Sequence, residues 1–89
     1  MIVISYDIQN DKLRNRFSRM ISKNGAIRLQ YSVYEVNNTK RVIENLSLII
    51  EKFSKHFSAA DSVILFEVDN KQITKYGSAI HRDKDVVFL

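Results

Sequence analysis

Asp7 closes the run Ile2-Val3-Ile4-Ser5-Tyr6, whose β-branched and aromatic residues predict a strand and in which a carboxylate is a poor strand former. A carboxylate at a strand end suits magnesium, which takes hard oxygen ligands at a phosphodiester. One carboxylate is not enough, because such sites often use two together with waters and substrate oxygens. If two copies of the chain meet near the ends of their first strands, Asp7 and its symmetry mate supply that pair. The other reading is that Asp7 ends the strand or caps the loop after it, as Asp commonly does.

A row of cations follows. Lys12, Arg16, Arg19 and Lys23 are spaced by four, three and four residues, which on a helix sets them along one side. That row suits successive phosphates, because backbone recognition needs charges along a line and no base-reading geometry. A merely solvated face usually mixes acids among the bases, and no acid lies between Lys12 and Lys23. Arg14 lies on the other flank and extends the same basic surface. His56 and His81 have no partner pattern and are read as surface or packing residues. Tyr6, next to Asp7, is a candidate to line a site.

The elements that must position these groups follow from periodicity. Leu13, Phe17, Met20 and Ile21 recur at helical spacing over 11–24, with Asn10 as a cap and Gly25 just past the end. Residues 26–36 are extended in character, and a break near Gln30–Ser32 divides them into a strand pair. Asn37, Asn38 and Thr39 are candidate caps for a second helix carrying an apolar stripe from Val42 to Phe57. Residues 62–68 read as a further strand, with a turn at Asp69-Asn70.

The order is βαββαβ, an α+β ferredoxin-like plan: an antiparallel sheet with two helices on one face. Yet the first strand is apolar at consecutive positions 2, 3 and 4, and the last at 63 to 66, so both sheet faces call for burial. Two helices cover one. The expectation is a homodimer that covers the other, with 1–89 as a single domain and 77–89 as a dimerisation tail ending in Val86, Val87, Phe88 and Leu89. The alternative is a tail that folds back over its own sheet.

Composition sets outer limits. The 89 residues make one small domain, and 45% hydrophobic residues exclude a disordered chain. No cysteine is present, which rules out disulfides and thiolate metal sites, and two histidines are too few for a zinc cage. A net charge of +4 makes a polyanionic partner plausible. No basic leader or bilayer-length apolar run occurs, so a cytoplasmic protein without membrane association is expected.

Tyr6-Asp7-Ile8, the arginine-rich helix, Gly25, and then Arg28-Leu29-Gln30-Tyr31-Ser32-Val33-Tyr34-Glu35 together resemble the CRISPR-associated Cas2 family. Tyr76-Gly77 and Asp85 to Leu89 resemble its C-terminal segment, so the likeness covers essentially the whole chain. The resemblance implies a homodimer with exchanged C-terminal strands that binds duplex DNA and bridges dimers of the Cas1 integrase during spacer acquisition. It also implies a magnesium-dependent endonuclease acting on RNA or DNA, with Asp7 as metal ligand and catalytic residue, and duplex contacts from Arg14, Arg16 and Arg19. Two other classes stay open: a free-standing toxin-like endoribonuclease of the VapD type, and a small-ligand regulatory ferredoxin-like domain, for which no glycine-rich loop is found.

Overall fold

In the computed structural model, which describes residues 1–82, the order of elements is the one the periodicity predicts. Strand β1 spans Ile2–Asp7, helix α1 Asp11–Lys23, β2 Ile27–Gln30, β3 Val33–Val36, α2 Lys40–Phe53 and β4 Ser62–Glu67. Short 3-10 turns occupy Ser54–His56, Asn70–Gln72 and Gly77–Arg82. Residues 83–89, including Asp85 and the apolar end Val86 to Leu89, lie outside the described residues.

Local chemistry explains the helix boundaries. The Asn10 side chain accepts from the Leu13 amide at 2.9 Å and so supplies one of the acceptors that the first turn lacks. Past the last turn Gly25 sits at φ 97°, the left-handed region that favours glycine, and the Ala26 amide folds back to the Ile21 carbonyl at 3.0 Å. Of the three candidate caps for α2, Thr39 takes the role: its hydroxyl accepts from the Val42 amide at 3.3 Å. Asn38 instead accepts from the Thr39 amide.

The four strands form one antiparallel sheet in the order β2-β3-β1-β4. Ile2, Ile4 and Tyr6 of β1, with Tyr34 and Val36 of β3, face the helices and pack on Phe17, Ile21, Leu46, Ile50 and Phe53. Phe17 is the centre of this core, fully buried, with the Tyr6 ring at 4.8 Å and the Phe53 ring at 5.3 Å in edge-to-face contact.

The opposite face is shared unequally. Beyond β4 the chain turns back, and the 3-10 turn at 77–82 packs against β2. On the way Lys75 reaches buried Glu35 at 2.7 Å, so a carboxylate in the sheet is met by a cation from the returning segment. On the β4 side the face stays open. Ile64 and Phe66, cross-strand from Ser5 and Val3, are 54% and 48% exposed on an edge strand. No helix among the described residues is long and apolar enough to cross a membrane.

Candidate functional site

Asp7 is exposed at the last residue of β1, in register with Ser62 of β4. Its Oδ1 accepts from the Gln9 Nε2 at 3.0 Å. The loop that carries Gln9 is itself held from far along the chain. Asp61 accepts from the Gln9 amide at 2.9 Å with one oxygen and from the Ser58 amide at 2.8 Å with the other. These amides, Gln9 first, hold the Asp61 carboxyl below the usual carboxylate range.

A lowered folded-state pKa contributes stability that is present above the unfolded value of about 4 and is lost as pH falls through the folded value. Asp61→Asn can accept from only one of the two amides, and it carries no charge to titrate. The variant is expected to melt below the parent at neutral pH and to lose less stability on acidification. Melting curves recorded from neutral to strongly acid pH check this; parallel profiles for the two proteins would remove Asp61 as the brace of the Asp7 loop.

Beside Asp7 opens a cavity of about 300 Å³, lined by Tyr6, Gln9, Arg14, Tyr31 and Ser32 among others. Tyr6 is buried, and burial, reinforced by neighbouring Tyr34, pushes its phenol well above the usual range. Arg14 donates from Nη1 to the Ile8 carbonyl at 3.0 Å and from Nη2 to Asp11, which further raises its pKa. Arg14 thus turns toward the Asp7 corner and away from the outer side of α1.

The other four cations form a separate surface. Lys12, Arg16, Arg19 and Lys23 are all exposed, and none makes a salt bridge among the described residues. Arg16 lays its guanidinium 5.6 Å from the Phe53 ring centre, a cation–π distance. Arg16, Arg19 and Lys23 line a shallow cavity of about 380 Å³ with Met20, Asn24 and Phe53. The tail residues Val86, Val87, Phe88 and Leu89 lie outside the described residues. His56 packs edge-on against Phe53 at 5.9 Å.

Arg28 is the residue that spacing arguments passed over. Its Nη2 donates to the Tyr31 carbonyl at 3.0 Å, and its guanidinium lies 5.4 Å from the Tyr31 ring and 5.9 Å from the Tyr34 ring. Its signals in the sequence were a cation inside an extended segment and its place at the head of the family-like run Arg28 to Glu35.

For magnesium, the donor set is a partial fit. No group of three or more His, Cys, Asp or Glu able to hold a metal occurs among the described residues. Asp7 presents an exposed carboxylate, the oxygen chemistry that magnesium takes, while among the described residues the nearby carboxylates of Asp11 and Asp61 are engaged by Arg14 and by the Gln9 and Ser58 amides. The residues therefore suit half of a two-carboxylate site.

Comparison with known proteins agrees with this architecture. The family model described as CRISPR associated protein Cas2 matches residues 1–76. The CRISPR-associated endoribonuclease Cas2 2 of Methanospirillum hungatei JF-1 is 49% identical over 35 residues, a stretch that takes in 39% of this chain and 38% of that relative's length. The crystal structure of the hypothetical protein TT1823 from Thermus thermophilus superposes with a TM-score of 0.67 over 85% of this chain and 88% of that one, at 23% identity, and shares the fold. With the family pattern running through β1, α1, the β2–β3 hairpin, α2 and β4, this chain belongs to the CRISPR-associated Cas2 family.

Proposed function

We propose that the chain acts as a homodimer that binds duplex DNA along the outer side of α1 and bridges Cas1 integrase dimers during CRISPR spacer acquisition, and that its two Asp7 carboxylates form a magnesium site able to hydrolyse RNA or DNA. The observation that carries this reading is the exposed, unpaired row Lys12, Arg16, Arg19 and Lys23. Both helices lie on one face of the sheet, and the apolar face with Ile64 and Phe66 lies on the other. Two copies joined through that apolar face turn their basic rows outward, one on each side, where a bridging protein must hold DNA.

At the Asp7 corner, Gln9 fixes the carboxylate by a hydrogen bond, and Arg14, paired through Nη2 with Asp11, sets its guanidinium on the wall of the same cavity, where a phosphate would compete with Asp11 for it. Magnesium, when bound by the paired Asp7 side chains, supplies neutralisation of the phosphate and of the leaving oxygen. The name of the M. hungatei relative, an endoribonuclease, favours RNA as a substrate of this corner; a free-standing ribonuclease of the VapD type would use the same residues.

The homodimer is tested at Phe66, which is exposed in the single chain and whose replacement opens no buried cavity. Phe66→Lys puts an unpaired charge into the apolar contact and is expected to convert a micromolar dimer into monomer in sedimentation velocity. Metal-dependent cleavage should fall with it, since each monomer keeps only one Asp7. A parent protein that sediments as a monomer across that range would remove the paired site.

A further inference from the structure

We propose that Tyr31 is a stacking surface for an unpaired nucleobase at the mouth of the Asp7 cavity, so that a single strand or a frayed duplex end enters the site base-first on Tyr31 with its phosphate toward Arg14 and Arg28. This rests on the nucleic-acid reading above and adds to it a binding residue and the kind of strand it takes.

Tyr31 and Ser32 form the turn between β2 and β3. Tyr31 is 66% exposed and takes no part in the core, so packing does not account for its ring. Two cations flank it: the Arg28 guanidinium at 5.4 Å and the Arg14 guanidinium at 5.8 Å from the ring centre. With both contacts in place the residue as a whole keeps its 66% exposure. The turn is held rigidly to the strand that bears Asp7, because the Tyr6 amide donates to the Ser32 carbonyl at 3.1 Å and Arg28 holds the Tyr31 carbonyl at 3.0 Å. Behind it the rings and guanidinium continue inward, from Arg28 to Tyr34 at 5.9 Å and from Tyr34 to Tyr6 at 6.0 Å, so Tyr31 is the solvent end of an ordered row anchored in the core.

An exposed ring with fixed backbone and adjacent guanidinium groups is what sequence-tolerant single-strand binding uses: a π-face for the base and cations for the phosphate. Tyr31 and Asp7 line one cavity, so a base on the ring brings its strand to the carboxylate. Bases within a duplex are already stacked on each other and offer no free face. Tyr76 makes the contrast: it is 82% exposed, and none of the aromatic or cation contacts among the described residues involves it.

The test uses a short single-stranded oligoribonucleotide carrying one 2-aminopurine, and a duplex of defined length, titrated by anisotropy with the parent chain and with Tyr31→Ala, Tyr31→Phe and Tyr76→Ala. Tyr31→Ala should weaken single-strand binding by about 5- to 150-fold, the range for loss of one stacked base, and leave the duplex affinity in place. The dependence on salt should keep its slope, because no cation is removed. Quenching of 2-aminopurine on binding should disappear in Tyr31→Ala and persist in Tyr31→Phe and Tyr76→Ala. Single-strand affinity and quenching equal to the parent's in Tyr31→Ala, with duplex binding intact, would overturn the stacking role and leave the wider reading standing. A parent chain that binds neither probe would sink both.

Discussion

Asp7→Asn is expected to abolish metal-dependent cleavage by the dimer while duplex binding persists. Asparagine keeps the shape of the side chain and can still accept from Gln9 Nε2, which now meets Asp7 Oδ1 at 3.0 Å. Asp7 is exposed and lies outside the core, so the substitution leaves no cavity and no buried polar group. What changes is charge. Each protomer loses the negative group that attracts a hard cation, so the dimer loses both protein ligands of the proposed site at once. Removing a mere outer-shell partner of a metal typically costs about 10- to 100-fold, so loss of both direct ligands should reduce cleavage by at least about 100-fold. Duplex affinity should hold or rise slightly, because two negative charges leave a surface that meets phosphates. Single-turnover cleavage of labelled RNA with and without chelator, beside anisotropy on duplex DNA, reads both effects. Cleavage at the parent's rate would take Asp7 out of the site.

The second large effect belongs to the α1 row. Each phosphate contact on duplex DNA releases condensed counterions, so log affinity falls with log salt by roughly 0.9 for each contact. Replacing Arg16 and Arg19 by Ala removes two charges from each protomer. The slope measured for the dimer should flatten by at most about 3 to 4, with equal weakening of unrelated sequences, because backbone contacts carry no sequence information. Arg14 is left out of this variant on structural grounds: it holds the Ile8 carbonyl and Asp11 at the Asp7 corner, and its loss would disturb that corner as well as any DNA contact. Arg16 rests on Phe53, and giving up that cation–π contact costs about 0.5–1 kcal/mol, too little to unfold the domain. Anisotropy over a salt series measures the slope, and a melting curve checks folding. An unchanged slope in a folded double variant would return the row to a solvated helix face.

The sheet face and the sheet edge bear on the same question. Consecutive apolar residues in β1 and β4 called for burial on both faces, and the fold meets that demand only in part. Glu35 is covered by Lys75 from the returning chain, whereas Ile64 and Phe66 stay open on the β4 side. Strand alternation reports which side a residue is on. It does not report which later segment crosses that side, because the covering group lies far along the chain.

What the sequence alone determined is whatever depends on near neighbours. Helical spacing of Leu13, Phe17, Met20 and Ile21 set the inner side of α1. Asn10 and Thr39 set the helix starts, because a cap acts within three residues. The same spacing put Lys12, Arg16, Arg19 and Lys23 on one outer side, and the element order led to the ferredoxin-like sheet. Tertiary structure alone decided how distant groups meet. Asp61 braces Gln9 across 52 residues. Spacing set Arg14 on the other flank of α1 from the row, but that its guanidinium folds back to the Ile8 carbonyl and Asp11, and does not extend a DNA-facing surface, was decided by the docking of α1 beside the end of β1. Tyr31 comes to Asp7 because β3 pairs with β1, Val33 opposite Ser5, and Arg28 is brought to Tyr31 by the pairing of β2 with β3, whose register shifts between Arg28 and Gln30. A shift of one residue sends a side chain to the other face, so the corner that gathers Asp7, Arg14 and Tyr31, with Arg28 against Tyr31, exists only once those strands have paired.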